Sequence, residues 1–424
     1  MDKLISSMYS LEKVSQAERK QYQEAKLRHI IDHAYKNAPA VKSRFDGAGI
    51  RPADIKSIAD LEKIPVLRKD ELVDLQKLSP PFGGLTTVSW ETMGRVYVSP
   101  GPIYDPHRKD DKFWESLVAI VKAMGFRAGD VVINTWAYHL VPAGLIFDEA
   151  LMRVGATVIP TGVGNTELQA RIMHDLKVTG FCGTTGFFMN IIEKAEEMGY
   201  DIRKDFNLRI ANIGGEMGGG SIRSVVEQKY GIETRDVYAT ADLSFLAYEC
   251  ECKSGMHINE NIILEICDPE TGKVLPSDSV GEIVATPFDE VYPLIRFGTG
   301  DLSSMTCDAC ACGRTSPRLS RILGRVGDAV RIRGMFLHPK QTNEVMAKYK
   351  EIANYQVTVT RPTTRDEMVL QIELCEQTKE KEDWKENLRK DFQNICRLKC
   401  DKVETVSSGT IAKDAKKILD KRVY

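Results

Sequence analysis

Residues 129–160 read GDVVINTWAYHLVPAGLIFDEALMRVGATVIP and contain a strand, a helix and a second strand in immediate succession. The apolar run Val131–Thr135 follows a Gly-Asp turn and predicts a short buried strand. Helical spacing over Leu145–Val154 and another apolar run over Ala156–Pro160 complete a β-α-β unit. The stretch therefore predicts a largely parallel sheet with helices on both of its faces.

The same alternation continues on both sides of this stretch. Further helices and strands are predicted at Phe113–Met124, Glu167–Leu176, Gly180–Gly183, Phe187–Met198 and Asn207–Ile213. An amphipathic helix is predicted over residues 17–38. Beyond residue 255, strands separated by Pro, Gly and Asp turns predict a β-rich subdomain, at Asn261–Cys267, Gly281–Ala285 and Leu302–Met305.

The last hundred residues predict a separate α+β module. Its predicted elements are the strand Ala329–Arg333, the helix Lys340–Lys348, the strands Asn354–Thr360 and Met368–Leu374, and the charged helix Lys379–Cys396. A chain of 424 residues is too long for one core. The sequence therefore predicts an α/β protein with a large N-terminal domain, residues 1–326, and a small C-terminal domain, residues 327–424.

The charge and hydropathy of the chain exclude some partners. The formal net charge of −2 offers no basic excess for binding nucleic acid or an anionic membrane. No stretch reaches the ~18 apolar residues that a membrane helix needs, and the N-terminus shows no signal-peptide pattern. A cytoplasmic location is the expectation.

The cysteines are concentrated in one region, which predicts a metal site. Of ten cysteines, six lie between Cys250 and Cys312, and close spacing in a large reduced protein favours metal over disulfides. Cys250 and His257 could supply one pair of zinc ligands, and Cys310 and Cys312 the other. Cys252 and Cys307 are spare candidates, and free buried thiols are the alternative interpretation. Such a zinc site would be structural, since no ligand position is left open.

Three short segments carry groups that suit a nucleotide. Gly214-Gly215-Glu216 ends a predicted parallel strand, where the backbone can approach a flat ring closely. The segment Tyr238-Ala239-Thr240-Ala241-Asp242 offers an aromatic face, a hydroxyl and a carboxylate, which suit adenine, phosphate and Mg²⁺. Asp301, in a Thr-Gly-Asp turn, could accept two ribose hydroxyls. Each segment also has an ordinary structural interpretation as a turn or a cap.

Taken in this order, the segments resemble the phenylacetate–coenzyme A ligase family of adenylate-forming enzymes. The resemblance runs from about residue 20 to 420, and its most specific pieces are Tyr292–Asp301 and Gly324–Gly334. It implies that ATP and a carboxylic acid form an acyl-adenylate, and that coenzyme A then displaces AMP. It also implies a nucleotide bound between a large domain and a small mobile one, with a hinge at Gly327 or Asp328.

The resemblance implies a role for each matched residue. Adenine would lie against Gly214, Gly215 and Glu216 and stack on Tyr238, with Ala239 in the same nucleotide-binding loop. Thr240 would contact the α-phosphate, Asp242 would hold Mg²⁺, Asp301 would bind the ribose, and Arg325 would lie near ribose and phosphate. Lys413 would reach both the carboxylate and the α-phosphate as the catalytic lysine.

The chain also departs from the family pattern. The family's phosphate loop, a Ser/Thr/Gly-rich run ending in Lys-Pro, corresponds here to Val98–Pro106, which contains prolines and no lysine. The metal position is Asp242 instead of the usual Glu, and Gly327-Asp328 replaces two hinge acids. Lys416 and Lys417 compete with Lys413 for the catalytic role.

The acyl pocket is expected after the two central strands of the sheet. Its predicted lining consists of Trp136, Tyr138, His139, Thr184 and Phe187, with Thr185 and Gly186 beside them. The aromatic residues suit an aryl acid and His139 suits a small polar acid, although core packing is the commoner role of such side chains. Coenzyme A is the expected acceptor, and a homodimer is compatible with the resemblance. The alternatives are transfer to a carrier-protein thiol or an amine, and a non-catalytic nucleotide-binding zinc protein.

Overall fold

The computed structural model describes residues 11–99, 102–108, 111–215, 220–333, 335–360, 366–375, 384–412 and 414–422. The chain divides into two compact units, one of residues 1–299 with 304–322 and one of residues 300–303 with 323–424. The second unit thus begins a few residues before the predicted boundary at 326/327. The role of residues 327 and 328 as a hinge stays a prediction.

The first unit contains nine of the helices described. They are α1 (Gln16–Asn37), α2 (Pro39–Gly47), α3 (Lys69–Leu78), α4 (Asp111–Ala123), α5 (Ala143–Val154), α6 (Thr166–Asp175), α7 (Thr185–Glu197), α8 (Ile202–Asp205) and α9 (Gly220–Val225). Its strands are β1 (Leu67–Arg68), β2 (Arg95–Ser99), β3 (Ile103–His107), β4 (Val131–Asn134), β5 (Thr157–Pro160), β6 (Gly180–Thr184), β7 (Ile210–Gly214), β8 (Glu233–Arg235), β9 (Val237–Thr240), β10 (Ser244–Glu249), β11 (Met256–Ile258), β12 (Ile262–Cys267), β13 (Gly281–Pro287), β14 (Phe297–Ser303), β15 (Met305–Thr306) and β16 (Arg318–Leu319).

The β-α-β stretch forms the centre of a five-stranded, all-parallel sheet in the order β5-β4-β6-β7-β8. Ile133 and Phe181 pack with residues of α6 and α7, whereas Val132 and Cys182 pack with residues of α4 and α5. Neighbouring strand residues therefore face opposite, helix-covered sides, as the near-continuous apolar runs require. The predicted parallel, doubly covered sheet is confirmed.

Two further sheets form the predicted β-rich part. One has the order β1-β14-β13-β12 and the other the order β15-β16-β11-β10-β9. Their facing sides share a buried cluster that includes Leu246 and Met256 from one sheet and Leu264 and Ile283 from the other. Strands β9, β11 and β16 were not predicted because they have only two to four residues, and β10 was not predicted because it follows directly on a turn. Strand β14 begins at Phe297, five residues before the predicted start.

The N-terminal helices pack on the segment Tyr292–Asp301, one of the two pieces most specific to the family resemblance. The Ser15 side chain and Glu18 form a capping box that starts α1. Leu27, Ile31 and the residues of α2 then share a core with Leu294, Ile295 and Phe297. Apolar burial thus fixes α1, which was predicted over residues 17–38, and α2 against this part of the chain.

The second unit is an α+β module, as predicted. Its elements are β17 (Gly324–Arg325), β18 (Val330–Ile332), β19 (Met335–Leu337), α10 (Pro339–Ala347), β20 (Ile352–Thr360), β21 (Glu367–Leu374), α11 (Trp384–Cys396), β22 (Lys402–Val406) and β23 (Ile418–Asp420). A four-stranded sheet, β22-β21-β20-β23, packs against α10 and α11 through residues such as Val357, Leu370 and Phe392. Among the residues described in both units, no helix has the length and apolar character needed to cross a bilayer.

Candidate active site and metal centre

The predicted acyl-pocket residues follow the carboxyl ends of β4 and β6. The Trp136 ring stacks on Phe147 with centroids 6.1 Å apart and planes 12° from parallel. Gly215 lies against the six-membered ring of the indole. A Cβ atom added at Gly215 would be only 2.9 Å from Trp136 Cη2. The indole Nε1 is buried and finds no hydrogen-bond partner among the described residues. Trp136 therefore presents an unused donor at the carboxyl edge of the parallel strands, which is the edge where sheets of this kind generally bind ligands.

Of the other predicted pocket residues, Tyr138 and Thr184 make hydrogen bonds within the protein and His139 faces solvent. The Tyr138 hydroxyl accepts a hydrogen bond from Asn134 Nδ2 at 2.8 Å and donates one to Asp148 Oδ1 at 3.3 Å. Burial, followed by the charge of Asp148, raises the pKa of Tyr138 well above its usual range, so the phenol stays neutral. His139 is exposed. The Thr184 hydroxyl accepts from the Phe187 amide at 3.3 Å and thereby caps α7.

The predicted nucleotide loop is the turn between β9 and β10. Thr240 Oγ1 accepts a hydrogen bond from the Leu243 amide at 3.2 Å, which closes the turn. Tyr238 is 6% exposed and packs in the core between the two sheets of the β-rich part, whereas Ala239 is exposed. Gly214 ends β7. Glu216 lies outside the described residues, so its predicted contact with adenine stays a prediction.

The turn also brings Asp242 to two residues that the sequence did not indicate. Lys69 Nζ, at the start of α3, lies 2.8 Å from Asp242 Oδ2, and the Asp242 side chain is only 1% exposed. Asp105, on β3, is equally buried, and neither of its oxygens has a hydrogen-bond partner among the residues that the structure describes. Burial, followed by the charge of Asp242, raises the pKa of Asp105 to about 7.

The counterpart of the family's phosphate loop is a β-hairpin. Strands β2 and β3 pair in antiparallel register from Arg95 opposite His107 to Ser99 opposite Ile103, and residues 100 and 101 lie outside the described residues. The Val98 amide donates to the Leu140 carbonyl at 2.8 Å. The hairpin is therefore attached to the loop that follows Trp136 and Tyr138, and it carries Asp105 at the position of the family's Ser/Thr/Gly-rich loop.

Two of the residues predicted to bind the nucleotide are in contact in the second unit. Asp301 and Arg325 are direct neighbours across the β14–β17 pair. Arg325 Nε lies 2.9 Å from Asp301 Oδ1, with the arginine side chain 64% exposed and the aspartate 12% exposed. Lys413 lies outside the described residues. Lys417 Nζ donates to Asn354 Oδ1 at 2.7 Å and lies 5.0 Å from the centroid of the Tyr355 ring, so it already has structural contacts.

One prominent residue of the 292–301 motif has a structural role. Arg296 is 1% exposed and its Nε lies 3.0 Å from Glu265 Oε2. Its guanidinium also donates to the carbonyls of Ile64 at 2.8 Å and Gly272 at 2.7 Å. Part of the motif's sequence pattern therefore reflects how β14 is joined to the preceding helices and to β12.

The four predicted zinc ligands converge. One ligand atom from each of Cys250, His257, Cys310 and Cys312 lies within 4.8 Å of the other three. Cys250 Sγ and Cys310 Sγ are 3.8 Å apart, and Cys312 Sγ is 3.4 Å from His257 Nε2. A tetrahedron with Zn–S bonds of about 2.3 Å has S–S edges of about 3.8 Å and S–N edges of about 3.5 Å. These two distances match the edges of such a tetrahedron, and the other four are at most 4.8 Å.

The surroundings of the quartet also suit a metal. His257 Nδ1 lies 3.1 Å from Ser316 Oγ, which leaves Nε2 directed at the thiols. Burial, followed by the charge of Arg314, lowers the pKa of His257 to about 4, so the ring is neutral as a ligand must be. Cys252 and Cys307, the spare candidates, are both exposed and are not members of the quartet.

Comparison with known proteins relates the chain to enzymes of one kind. Residues 334–423 match the family model "AMP-binding enzyme C-terminal domain". The chain is 32% identical to phenylacetate-coenzyme A ligase from Thermus thermophilus, over 86% of this chain and 84% of that protein. It is 33% identical to the enzyme of the same name from Aromatoleum evansii, over 86% of this chain and 83% of that protein.

A solved structure is similar over nearly the whole chain. It is an open conformation of 2-hydroxyisobutyryl-CoA ligase in complex with 2-HIB-AMP and CoA. The TM-score is 0.87 at 25% sequence identity, and the alignment covers 97% of this chain and 94% of the other.

Proposed function

The chain belongs to the phenylacetate–coenzyme A ligase family of adenylate-forming enzymes, and we propose that it activates an aromatic or small polar carboxylic acid. It is an AMP-forming coenzyme A ligase, so ATP and coenzyme A are its co-substrates. A free carboxylate is a poor electrophile, and forming the mixed anhydride with AMP supplies a good leaving group for thiol attack.

The observation that carries the proposal for the acid is Trp136. Its indole face suits an aromatic ring, and its buried Nε1 donor suits an oxygen substituent on a small acid. Leaving that donor without a partner costs about 1–3 kcal/mol, which a bound acceptor would recover. The named relatives act on phenylacetate and on 2-hydroxyisobutyrate, and both kinds of acid are compatible with this surface.

For the nucleotide we propose the roles that the family resemblance implies. Asp301 would bind the ribose with Arg325 beside it, and Thr240 would contact the α-phosphate. Lys413 would act as the catalytic lysine. Asp242 would hold Mg²⁺, and its buried, unpartnered Oδ1 is the hard oxygen ligand that this ion prefers. Mg²⁺ there would offset the charge that develops on the α-phosphate.

A panel of acids tests the proposal. Purified protein is incubated with ATP, Mg²⁺ and single acids, including phenylacetate, benzoate, 2-hydroxyisobutyrate and acetate, with and without coenzyme A. We expect ATP–pyrophosphate exchange with the preferred acid alone, and AMP with an acyl-CoA product once coenzyme A is present. Formation of ADP, or of an adenylate that coenzyme A never consumes, would contradict the proposal.

Trp136 can be tested within the same panel. Replacement by Phe keeps an apolar ring but removes the Nε1 donor. If the donor binds an oxygen substituent, W136F should raise KM for a hydroxy acid by about tenfold, the value of one hydrogen bond, and leave KM for its deoxy analogue nearly unchanged. An equal change in both KM values would show that the ring only packs.

We also propose that the Cys250-His257-Cys310-Cys312 quartet binds a structural zinc ion. The support is the match of its spacing to a tetrahedron and the fixed orientation of His257. Metal analysis of protein purified without chelator should give one zinc per chain. Replacing the exposed Cys252 by Ser is the matched control and should leave the zinc content unchanged. A cytoplasmic location and a homodimer stay predictions from the sequence.

A further inference from the structure

We propose that Asp105 and Asp242 together form a two-carboxylate site for a hard divalent cation, and that this site binds the cation before the nucleotide arrives. The inference deepens the proposed function and rests on it, since the family resemblance implies a metal only at position 242. Asp105 is the added element, because it lies on the hairpin that stands in for the phosphate loop.

The first support is that the carboxylates are buried without enough partners. Asp105 is 1% exposed and both of its oxygens lack a hydrogen bond from any residue of the described ranges. The Asp242 side chain is equally buried, and its Oδ1 is also without a partner there. Unsatisfied carboxylate oxygens are costly in an interior, so three such atoms at one place indicate a missing ligand.

The second support comes from two neutral oxygens beside the carboxylates. Ser99 Oγ, across the hairpin, is buried and makes no hydrogen bond of standard geometry within the described part of the chain. The Tyr292 hydroxyl is buried in the same way. It interacts electrostatically with both Asp105 and Asp242. A set of carboxylate and hydroxyl oxygens matches the ligand preference of Mg²⁺ and Mn²⁺.

The third support is the charge balance. Lys69 Nζ makes its contact with Asp242 Oδ2, and within the described ranges no second cation forms an ion pair with Asp105 or Asp242. One ammonium can balance only one of two buried negative charges, so the pair keeps an excess negative charge. A divalent cation between the two groups would supply the missing counter-charge.

The site also explains how this hairpin can take part in ATP binding. The corresponding loop of the family offers hydroxyls and a lysine to the phosphates, whereas this hairpin offers Asp105. A bare carboxylate would repel a triphosphate, but a cation held by Asp105 and Asp242 would attract it. In this proposal a bound metal ion takes the place of the lysine side chain of the family's loop.

Manganese binding without nucleotide tests the site. Mn²⁺ alone is titrated with the full-length protein, whose zinc site is kept loaded and which has been freed of Mg²⁺, and the free-ion signal is followed by electron paramagnetic resonance. We expect the wild-type protein to bind one Mn²⁺ that Mg²⁺ displaces. Asp105→Asn and Asp242→Asn should each weaken binding by at least about tenfold, since a charged ligand is lost. Asp74→Asn, at an exposed position of α3, is the control and should bind Mn²⁺ normally.

A fourth variant separates metal binding from a purely structural acid pair. Lys69→Met removes the ammonium that competes for Asp242, so it should bind Mn²⁺ more tightly than the wild type. Mg²⁺ should also raise its thermal midpoint more than it raises that of the wild type. Circular dichroism of each variant checks that the fold is retained.

The outcomes distinguish this inference from the proposed function. Mn²⁺ binding that D105N leaves unchanged, or no binding by the wild type without ATP, overturns the two-carboxylate site even if acyl-CoA is formed. Nucleotide-free binding that D105N abolishes upholds the site even if none of the acids tested is activated.

Discussion

Replacing Gly215 by Ala tests whether close approach of the backbone to Trp136 shapes the acyl pocket. Gly215 follows β7 with a φ of +72°, and a Cβ atom there would lie 2.9 Å from Trp136 Cη2. Ordinary carbon–carbon contacts are about 3.5–4.0 Å, so the indole has to move by roughly 1 Å or the backbone has to shift. The substitution therefore acts on the candidate substrate surface through one added methyl group.

The expected cost has two parts. An alanine in the left-handed region costs about 1 kcal/mol relative to glycine. Overpacking against the indole adds about 2 kcal/mol, the middle of the range for an extra methylene in a packed site. At about 2 °C per kcal/mol for a unit of this size, the thermal midpoint should fall by about 6 °C.

Gly199→Ala is the matched control. Gly199 has a φ of +90°, is exposed, and a Cβ atom there would meet nothing within 4 Å. It should therefore lower the thermal midpoint by about 2 °C, which corresponds to the cost of placing alanine in the left-handed backbone region without any overpacking. Differential scanning fluorimetry of both variants separates the two parts, and steady-state kinetics should show a raised KM for the acid in G215A alone.

A double variant identifies the clash. Phe has no atom at the position of Cη2, so Trp136→Phe should relieve the overlap, and G215A should cost only about 1 kcal/mol in that background. The reasoning would be refuted if G215A were no more destabilising than G199A. It would also be refuted if the effects of G215A and W136F simply added and the KM for the acid stayed unchanged.

Further predictions concern the metal centre, the ribose site, the catalytic lysine and the buried ion pair. Cys310→Ser should remove zinc and lower the thermal midpoint, both measured on the same sample by metal analysis and fluorimetry. Asp301→Asn should raise KM for ATP by about tenfold or more with little change in KM for the acid, because one charged hydrogen bond to a ribose hydroxyl is weakened. Lys413→Ala should reduce pyrophosphate exchange by at least about a hundredfold, whereas Lys416→Ala should not. Arg296→Met should destabilise the protein by about 3–5 kcal/mol in urea unfolding, because it leaves a buried glutamate and several carbonyls without their donor.

Local patterns in the sequence predict most of the fold because they reflect local physics. The run Val131–Thr135 and the helix Leu145–Val154 became β4 and α5, since short apolar runs and helical spacing each match one buried arrangement. Strands β9 and β10 were missed because both flank a turn whose residues resemble a ligand loop, and β9 has only four residues. Their structure depends on pairing with strands that come later in the chain.

The zinc quartet shows which metal ligands can be predicted from residue type and spacing in the sequence alone. Residue type and clustering selected Cys250, His257, Cys310 and Cys312, but they could not exclude Cys252 or Cys307. The exclusion comes from the pairing of β11 with β16, which brings the two segments together and leaves those thiols exposed.

The sequence by itself determined the parallel β-α-β core, the α+β C-terminal module, the family and the kind of residue at each expected site. Only the tertiary structure decided that Lys69 and Asp105 meet Asp242 and that Tyr138 bonds to Asp148. The physical reason is that backbone preferences and hydrophobic periodicity act over a few neighbouring residues. Burial, charge and hydrogen bonding at a site depend instead on which distant segments the sheets and their connections bring into contact.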